Sequence, residues 1–118
     1  HQGKGMGKEF LRHVERCRIL IYMVDVMHED PATSYRMLRS EVMHHDPVLL
    51  ERKSILALTQ CDKLPGGVKG VDPKLLQLHE RTVPISAVSR EGLDDLLQLV
   101  GRLLAGEARA ANMGEVSG

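Results

Sequence analysis

Aromatic side chains are scarce in this chain of 118 residues: they make up 3% of it, and there is no Trp. That argues against a surface that binds nucleic acid by stacking many bases on aromatic rings. Cysteine is equally sparse. Cys17 and Cys61 are far apart and form no CxxC pair, so neither a zinc knuckle nor a disulfide framework follows, and a reducing interior is the default. Neither sign of charge prevails. Lys+Arg and Asp+Glu stand at 16 each, and net charge therefore points to no polyanionic partner. Long apolar runs are missing too. The longest, Ile19 to Val24, falls far short of the roughly 20 residues a helix needs to cross a bilayer. His1-Gln2-Gly3-Lys4 carries no apolar signal core and no initiating Met, which leads to the expectation of a piece of a longer, cytoplasmic protein. What remains is an ordinary globular composition, 42% hydrophobic and 27% charged, sized for one domain or part of one.

Along the chain, Gly3, Gly5 and Gly7 alternate with Gln2, Lys4 and Met6, the pattern of a mobile loop. A short helix is expected at about 8–17, with Phe10, Leu11, Val14 and Cys17 on one side and Lys8, Arg12 and Arg16 on another. Ile19 to Val24 is a continuous apolar run of strand formers, expected to be buried on both faces of a parallel sheet and ended by Asp25. Asp30-Pro31 reads as an N-cap followed by Pro at the first helical position. Tyr35, Leu38 and Val42 form the buried stripe of that helix, which should end near His45 because Pro47 cannot continue it. Ser54 to Leu58 reads as a second buried strand. Pro65, Gly66, Gly67 and Gly70 mark a flexible connection. Asp72-Pro73 repeats the cap-plus-Pro signal for a short helix through about Glu80, and Thr82 to Ile85 gives a third strand. Leu93, Leu96, Leu97, Val100, Leu103 and Leu104 form the clearest amphipathic helix; the small, polar tail from Ala105 should fray. Strands alternating with helices predict an α/β layer on a parallel sheet.

Ligands of such sheets bind at the carboxyl ends of the strands. Asp25, the loop Thr59-Gln60-Cys61-Asp62 and the turn Ser86-Ala87-Val88 all fall there. A carboxylate at a strand end accepts two hydrogen bonds from the ring N–H and exocyclic amino group of guanine, a donor pair adenine does not offer. A backbone N–H in a tight Ser-Ala turn suits the guanine carbonyl oxygen. Polar groups that only one base satisfies give large discrimination.

Over roughly residues 1–104 the chain resembles the Obg family of GTPases. Gly3-Lys4-Gly5-Met6-Gly7-Lys8-Glu9-Phe10-Leu11-Arg12-His13-Val14-Glu15-Arg16-Cys17-Arg18 is similar to that family's switch II stretch and the helix after it. Leu58 through Leu64 resembles its NKxD base-specificity motif, and Pro84 through Leu97 its SA-containing motif with the helix behind. The resemblance implies a three-layer α/β fold: a parallel sheet of three strands with flanking helices, as in the C-terminal half of a P-loop NTPase (Ras-like) G domain. It implies that Thr59, Gln60, Cys61, Asp62, Ser86, Ala87 and Val88 hold the guanine of GTP or GDP, and that residues 1–8 are the tail of a nucleotide-sensitive switch. It further implies hydrolysis of GTP with Mg2+, and control by nucleotide state of association with the large ribosomal subunit, with Lys8, Arg12 and Arg16 as an RNA-facing set.

Two features depart from that pattern. Thr59 and Gln60 stand where Asn and Lys are usual, a pairing that resembles some Rho-type GTPases; Gln60 brings no charge and a shorter stem. No GxxxxGK[ST], magnesium-binding Thr or DxPG occurs in the chain, so the magnesium ligands are expected outside it, and no residue here suits activation of water. The plainer readings are a strand-end turn residue for Asp62, a helix-entry residue for Ser86, a structural strand end for Asp25 and a solvated helix side for Lys8, Arg12 and Arg16. Cys61 fills a motif position rather than acting as a reactive thiol. His44-His45-Asp46 is no metal site, because adjacent helical histidines diverge by about 100°. The alternative from another class is a non-enzymatic ribosome- or protein-interaction module whose altered motif no longer holds nucleotide.

Overall fold

A computed structural model describes the backbone of residues 19–117 and the side chains of residues 19–106. The glycine-alternating loop at 1–7, the helix expected at 8–17 and the Lys8, Arg12 and Arg16 set therefore lie outside the described residues.

Three parallel strands form one sheet in the order β1-β2-β3: β1 is Ile19–Asp25, β2 is Lys53–Thr59 and β3 is Thr82–Pro84. The fold is thus α/β, with helices in the crossovers that parallel strands require. The register sets Asp25 opposite Thr59 and Leu58 opposite Pro84, so the carboxyl ends of all three strands lie in one row. Beyond β3 the ladder gains one more bond, from the Ile85 N–H to the Leu58 carbonyl at 2.8 Å.

Helix α1, Pro31–His45, starts as its sequence dictates. The Asp30 carboxylate accepts from the Thr33 N–H at 3.1 Å and from the Thr33 hydroxyl at 2.7 Å, and Pro31 has no N–H left unsatisfied. Tyr35 is buried, with Leu38 and Val42 packed beside it. At the far end Asp46 caps a 3-10 turn, Pro47–Glu51, through the Val48 N–H. The core lies between α1 and one face of the sheet, where Leu20, Tyr22 and Val24 of β1 meet Leu56 and Leu58 of β2, with Leu49 and Val71 closing it.

Helix α3, Leu93–Ser117, crosses the opposite face. A Cβ built on Gly106 would sit 3.3 Å from Nζ of Lys53, which shares its face of β2 with Ile55 and Ala57. The chain enters α3 through Gly92 at φ +78°, where any side chain would fall onto the Pro84 carbonyl oxygen. The backbone stays helical to Ser117 rather than ending near Ala105. The run from Ala105 is rich in Ala, the strongest helix former, and it extends a helix already nucleated.

Two further expectations need correction. Strand β1 is not buried on both faces: Leu20, Tyr22 and Val24 are, whereas Ile21 is 43% and Met23 60% exposed. Among the described residues β1 is an edge strand, paired with β2 alone. Central β2, flanked on both sides, buries Ile55, Leu56, Ala57 and Leu58 completely. The helix expected from Pro73 to about Glu80 is only Pro73–Leu76 (α2). His79 is drawn instead into the core, where its Nε2 meets Ser54 Oγ at 2.7 Å and its Nδ1 accepts from the Arg81 N–H at 3.0 Å.

Candidate functional site

The loop after β2 turns sharply at Gln60, whose φ of 62° and ψ of 30° put it in the left-handed region. For a residue with a Cβ this costs about 1–2 kcal/mol and persists only where the surroundings impose it. Here the surroundings do. The Cys61 N–H donates to the Ile85 carbonyl at 3.1 Å, the Cys61 thiol to the Leu58 carbonyl at 3.2 Å, and the Lys63 N–H back to the Gln60 carbonyl at 3.1 Å. Cys61 is fully buried, and burial pushes its thiol above the usual cysteine range. It is therefore a protonated packing group that locks the turn, not a nucleophile.

Asp62 follows in the 3-10 turn Cys61–Lys63, half-buried. The hydroxyl of Ser86 donates to its Oδ1 at 2.7 Å. Ser86 is itself completely buried, and its position is over-determined: its Oγ accepts from the Ser89 N–H at 3.0 Å while its own N–H donates to the Glu91 carbonyl at 2.9 Å. One oxygen of Asp62 is thus held and aimed by a rigid partner, and Oδ2 has no partner among the described residues. Ala87 and Val88, by contrast, are exposed, Val88 to 83%. So the fold brings together Thr59, Gln60, Cys61, Asp62 and Ser86, and sets Ala87 and Val88 on the adjoining rim.

The sequence did not signal the part taken by Asp25. Its Oδ2 accepts from the Gln60 side-chain amide at 2.6 Å, while Oδ1 accepts from the Met27 N–H at 2.7 Å. Thr59 leans the same way, its hydroxyl reaching the Val24 carbonyl at 3.4 Å, and the Val26 N–H donates to the Thr59 carbonyl at 3.1 Å. Both residues that replace the usual Asn and Lys therefore brace the loop against the tip of β1. The register offered the one available hint, since Asp25 and Thr59 are level at the ends of adjacent strands.

An open cleft of about 370 Å³ lies beside this site, lined in part by Met23, Asp25, Met37 and Glu41. It shares Asp25 with the site but touches neither Asp62 nor Ser86. Among the described residues no three His, Cys, Asp or Glu side chains gather where a metal ion fits. In the His44-His45 pair, His44 spends its Nδ1 on the Ser40 carbonyl at 2.7 Å. Among the described residues no helix is long and apolar enough to cross a membrane.

A parallel α/β sheet with helices on both faces and loops gathered at the strand ends is consistent with part of a P-loop GTPase domain. No family model matches the chain. Individual relatives do. "GTPase Obg" of Anaeromyxobacter sp. (strain K) is 40% identical over 117 residues, covering 92% of this chain and 33% of that protein. "GTPase Obg" of Desulfotalea psychrophila is 35% identical over 113 residues, covering 88% of this chain and 29% of that protein. The protein of the same name in Synechocystis sp. is 40% identical over 106 residues, covering 86% and 28%. Across the nine-tenths that aligns, this chain belongs to the Obg family. It spans about a third of the length of the curated relatives it matches.

Proposed function

We propose that this chain forms the guanine-reading side of a GTP-binding domain. Asp62 takes the ring N–H and exocyclic amino group of guanine, and Ser86 aims it. Because the Ser86 N–H is already given to Glu91, the next amide in the turn, that of Ala87, is the donor to the guanine carbonyl. Thr59 and Gln60 shape the floor of the loop, Cys61 packs beneath it, and Val88 borders the base. The observation that carries this reading is the 2.7 Å bond from the buried Ser86 hydroxyl to Asp62 Oδ1. A carboxylate that merely ended a strand would need no such orientation.

In the same reading the boundaries are 1–104 for the domain portion and 105–118 for a tail, with residues 1–8 as the end of a nucleotide-sensitive switch. The parent protein hydrolyses GTP with magnesium bound by ligands outside this chain. It acts in the cytoplasm on the large ribosomal subunit, to which Lys8, Arg12 and Arg16 offer positive charge. Phosphate-binding backbone amides and a P-loop Lys, which supply most nucleotide affinity in such folds, have no counterpart in this sequence, so the segment alone is inactive.

The test is base preference in the full-length protein that contains this chain. Asp62→Asn reverses the donor–acceptor match to guanine, and a broken buried polar match costs about 1–3 kcal/mol. GTP binding should weaken by roughly 5–150-fold while xanthosine triphosphate gains. Undetectable GTP binding by the unaltered protein would instead support a non-enzymatic interaction module. Equal GTP affinity in wild type and variant overturns the assignment of Asp62.

A further inference from the structure

We propose that Asp25 is a positioning residue for the base-reading loop, acting through Gln60, so that the two behave as one unit in setting nucleotide affinity. The inference rests on the guanine-reading assignment above and extends it to a residue on another strand. Three observations carry it. The Gln60 amide lies 2.6 Å from Asp25 Oδ2, a short, charge-assisted bond between the ends of β1 and β2. Gln60 is one of two non-glycine residues with positive φ among those described, and it directly precedes the Cys61–Lys63 turn that presents Asp62. Asp25 is itself fixed, because its other oxygen holds the Met27 N–H at 2.7 Å. The amide of Gln60 is thereby drawn toward β1 across the floor of the loop, and the strained turn acquires a brace from outside its own segment.

The pairing also gives a physical role to the substitution at this position. A Gln stem is too short to run along a base and end in a distant contact. It is long enough to bridge two adjacent strand ends. Thr59 supports the same brace more weakly, with its hydroxyl 3.4 Å from the Val24 carbonyl. In this chain, then, the loop owes its shape to the tip of β1, and disturbing Asp25 should disturb Asp62, although the two make no bond with each other.

The experiment is titration of the full-length protein with a fluorescent GDP, on Asp25→Ala, Asp25→Asn, Gln60→Gly, the Asp25→Ala/Gln60→Gly double variant and Asp62→Asn. Asp25→Ala and Gln60→Gly should each weaken GDP about tenfold, in line with loss of one charge-assisted bond. The double variant should be no weaker than either alone, because both changes remove the same bond. Asp25→Asn keeps one acceptor oxygen for the two N–H donors that Asp25 now holds and removes the charge, so its affinity should fall between those of wild type and Asp25→Ala. Gln60→Gly relieves the left-handed strain, so its melting temperature should not fall while its affinity does, a split that a purely structural role does not give. Additive losses, or wild-type affinity in Gln60→Gly, overturn the proposal, and that variant decides the matter even if Asp25→Ala fails to fold. If Asp62→Asn also leaves GDP affinity unchanged, the guanine-reading assignment itself has failed. If Asp62→Asn weakens GDP while Gln60→Gly does not, only the brace has failed.

Discussion

The Ser86 hydroxyl stands 2.7 Å from Oδ1 of Asp62, linking the ends of two strands whose residues are far apart in sequence. Ser86 is buried and cannot be rehydrated when its partner is lost, so the bond sets the direction of a carboxylate that solvent would otherwise leave free to rotate. Ser86→Ala should therefore act on two measurements at once. The Ser89 N–H and Asp62 Oδ1 both lose a partner, and stability should fall by about 1–3 kcal/mol in denaturant titration. In the full-length protein, guanine nucleotide affinity should fall as well. Unchanged affinity with lowered stability would reduce Ser86 to a structural residue.

Gln60→Lys should tighten nucleotide binding in the full-length protein. The longer stem covers more of a base, and its ammonium replaces a neutral amide opposite the Asp25 carboxylate, where Gln60 now donates at 2.6 Å. Calorimetric titration reads the change directly. Weaker or equal binding would mean that Thr59-Gln60 is a fully working pair in its own right.

His79 gives the fold a pH dependence. Its Nδ1 accepts from the Arg81 N–H at 3.0 Å, so in the neutral ring Nε2 carries the proton and donates to Ser54 Oγ at 2.7 Å. Burial chiefly, and then the positive charge of Arg39, hold its pKa below the ordinary value, with Glu80 opposing and Arg81 adding to the effect. Above an unfolded pKa of about 6.5 neither state binds the proton, and His79 makes no contribution to the slope. Between that value and the lower folded one, the unfolded chain takes up a proton that the folded chain refuses. Stability should therefore decline as pH drops below about 6.5. Thermal denaturation from neutral to mildly acid pH should show the decline. His79→Gln, which keeps a donor for Ser54 and an acceptor for Arg81, should flatten it; an unchanged slope would assign the effect to other groups.

The 118-residue chain in isolation should associate and should not bind GTP measurably. β1 is an edge strand with Ile21 and Met23 exposed, and Met37 of α1 is 59% exposed beside it. Apolar edges of this kind template pairing with other chains. In the G domain that the family resemblance implies, the strand carrying the P-loop occupies that edge. Light scattering and calorimetry with GTP and magnesium read the two halves of the expectation. A monodisperse monomer with micromolar affinity would contradict both. Met23→Lys should reduce association without altering the core, since its side chain points away from Leu20, Tyr22 and Val24.

What the sequence settled by itself was local. Asp30-Pro31 and Asp72-Pro73 began helices where the caps stand, because a capping carboxylate and a preset φ act within a few residues. Apolar runs located all three strands, and their alternation with helices required a parallel sheet. The resemblance pointed to the loops at 59–62 and 86–88, and the fold brings them together. What only the tertiary structure decided depends on neighbours distant in sequence. Whether β1 is buried on one face or two follows from its place at the edge, since the runs in β1 and β2 read alike. Helix α2 stops at Leu76 because Ser54 and the Tyr22–Tyr35 pair receive His79, a contact no propensity encodes. Gln60 takes a left-handed backbone, against the preference of its residue type, because Asp25 holds its side chain and Ile85 holds the N–H of the next residue, Cys61. Local terms of a fraction of a kcal/mol choose where elements begin, but a buried or charge-assisted bond is worth about 1–3 kcal/mol, so wherever the two conflict the distant partner prevails.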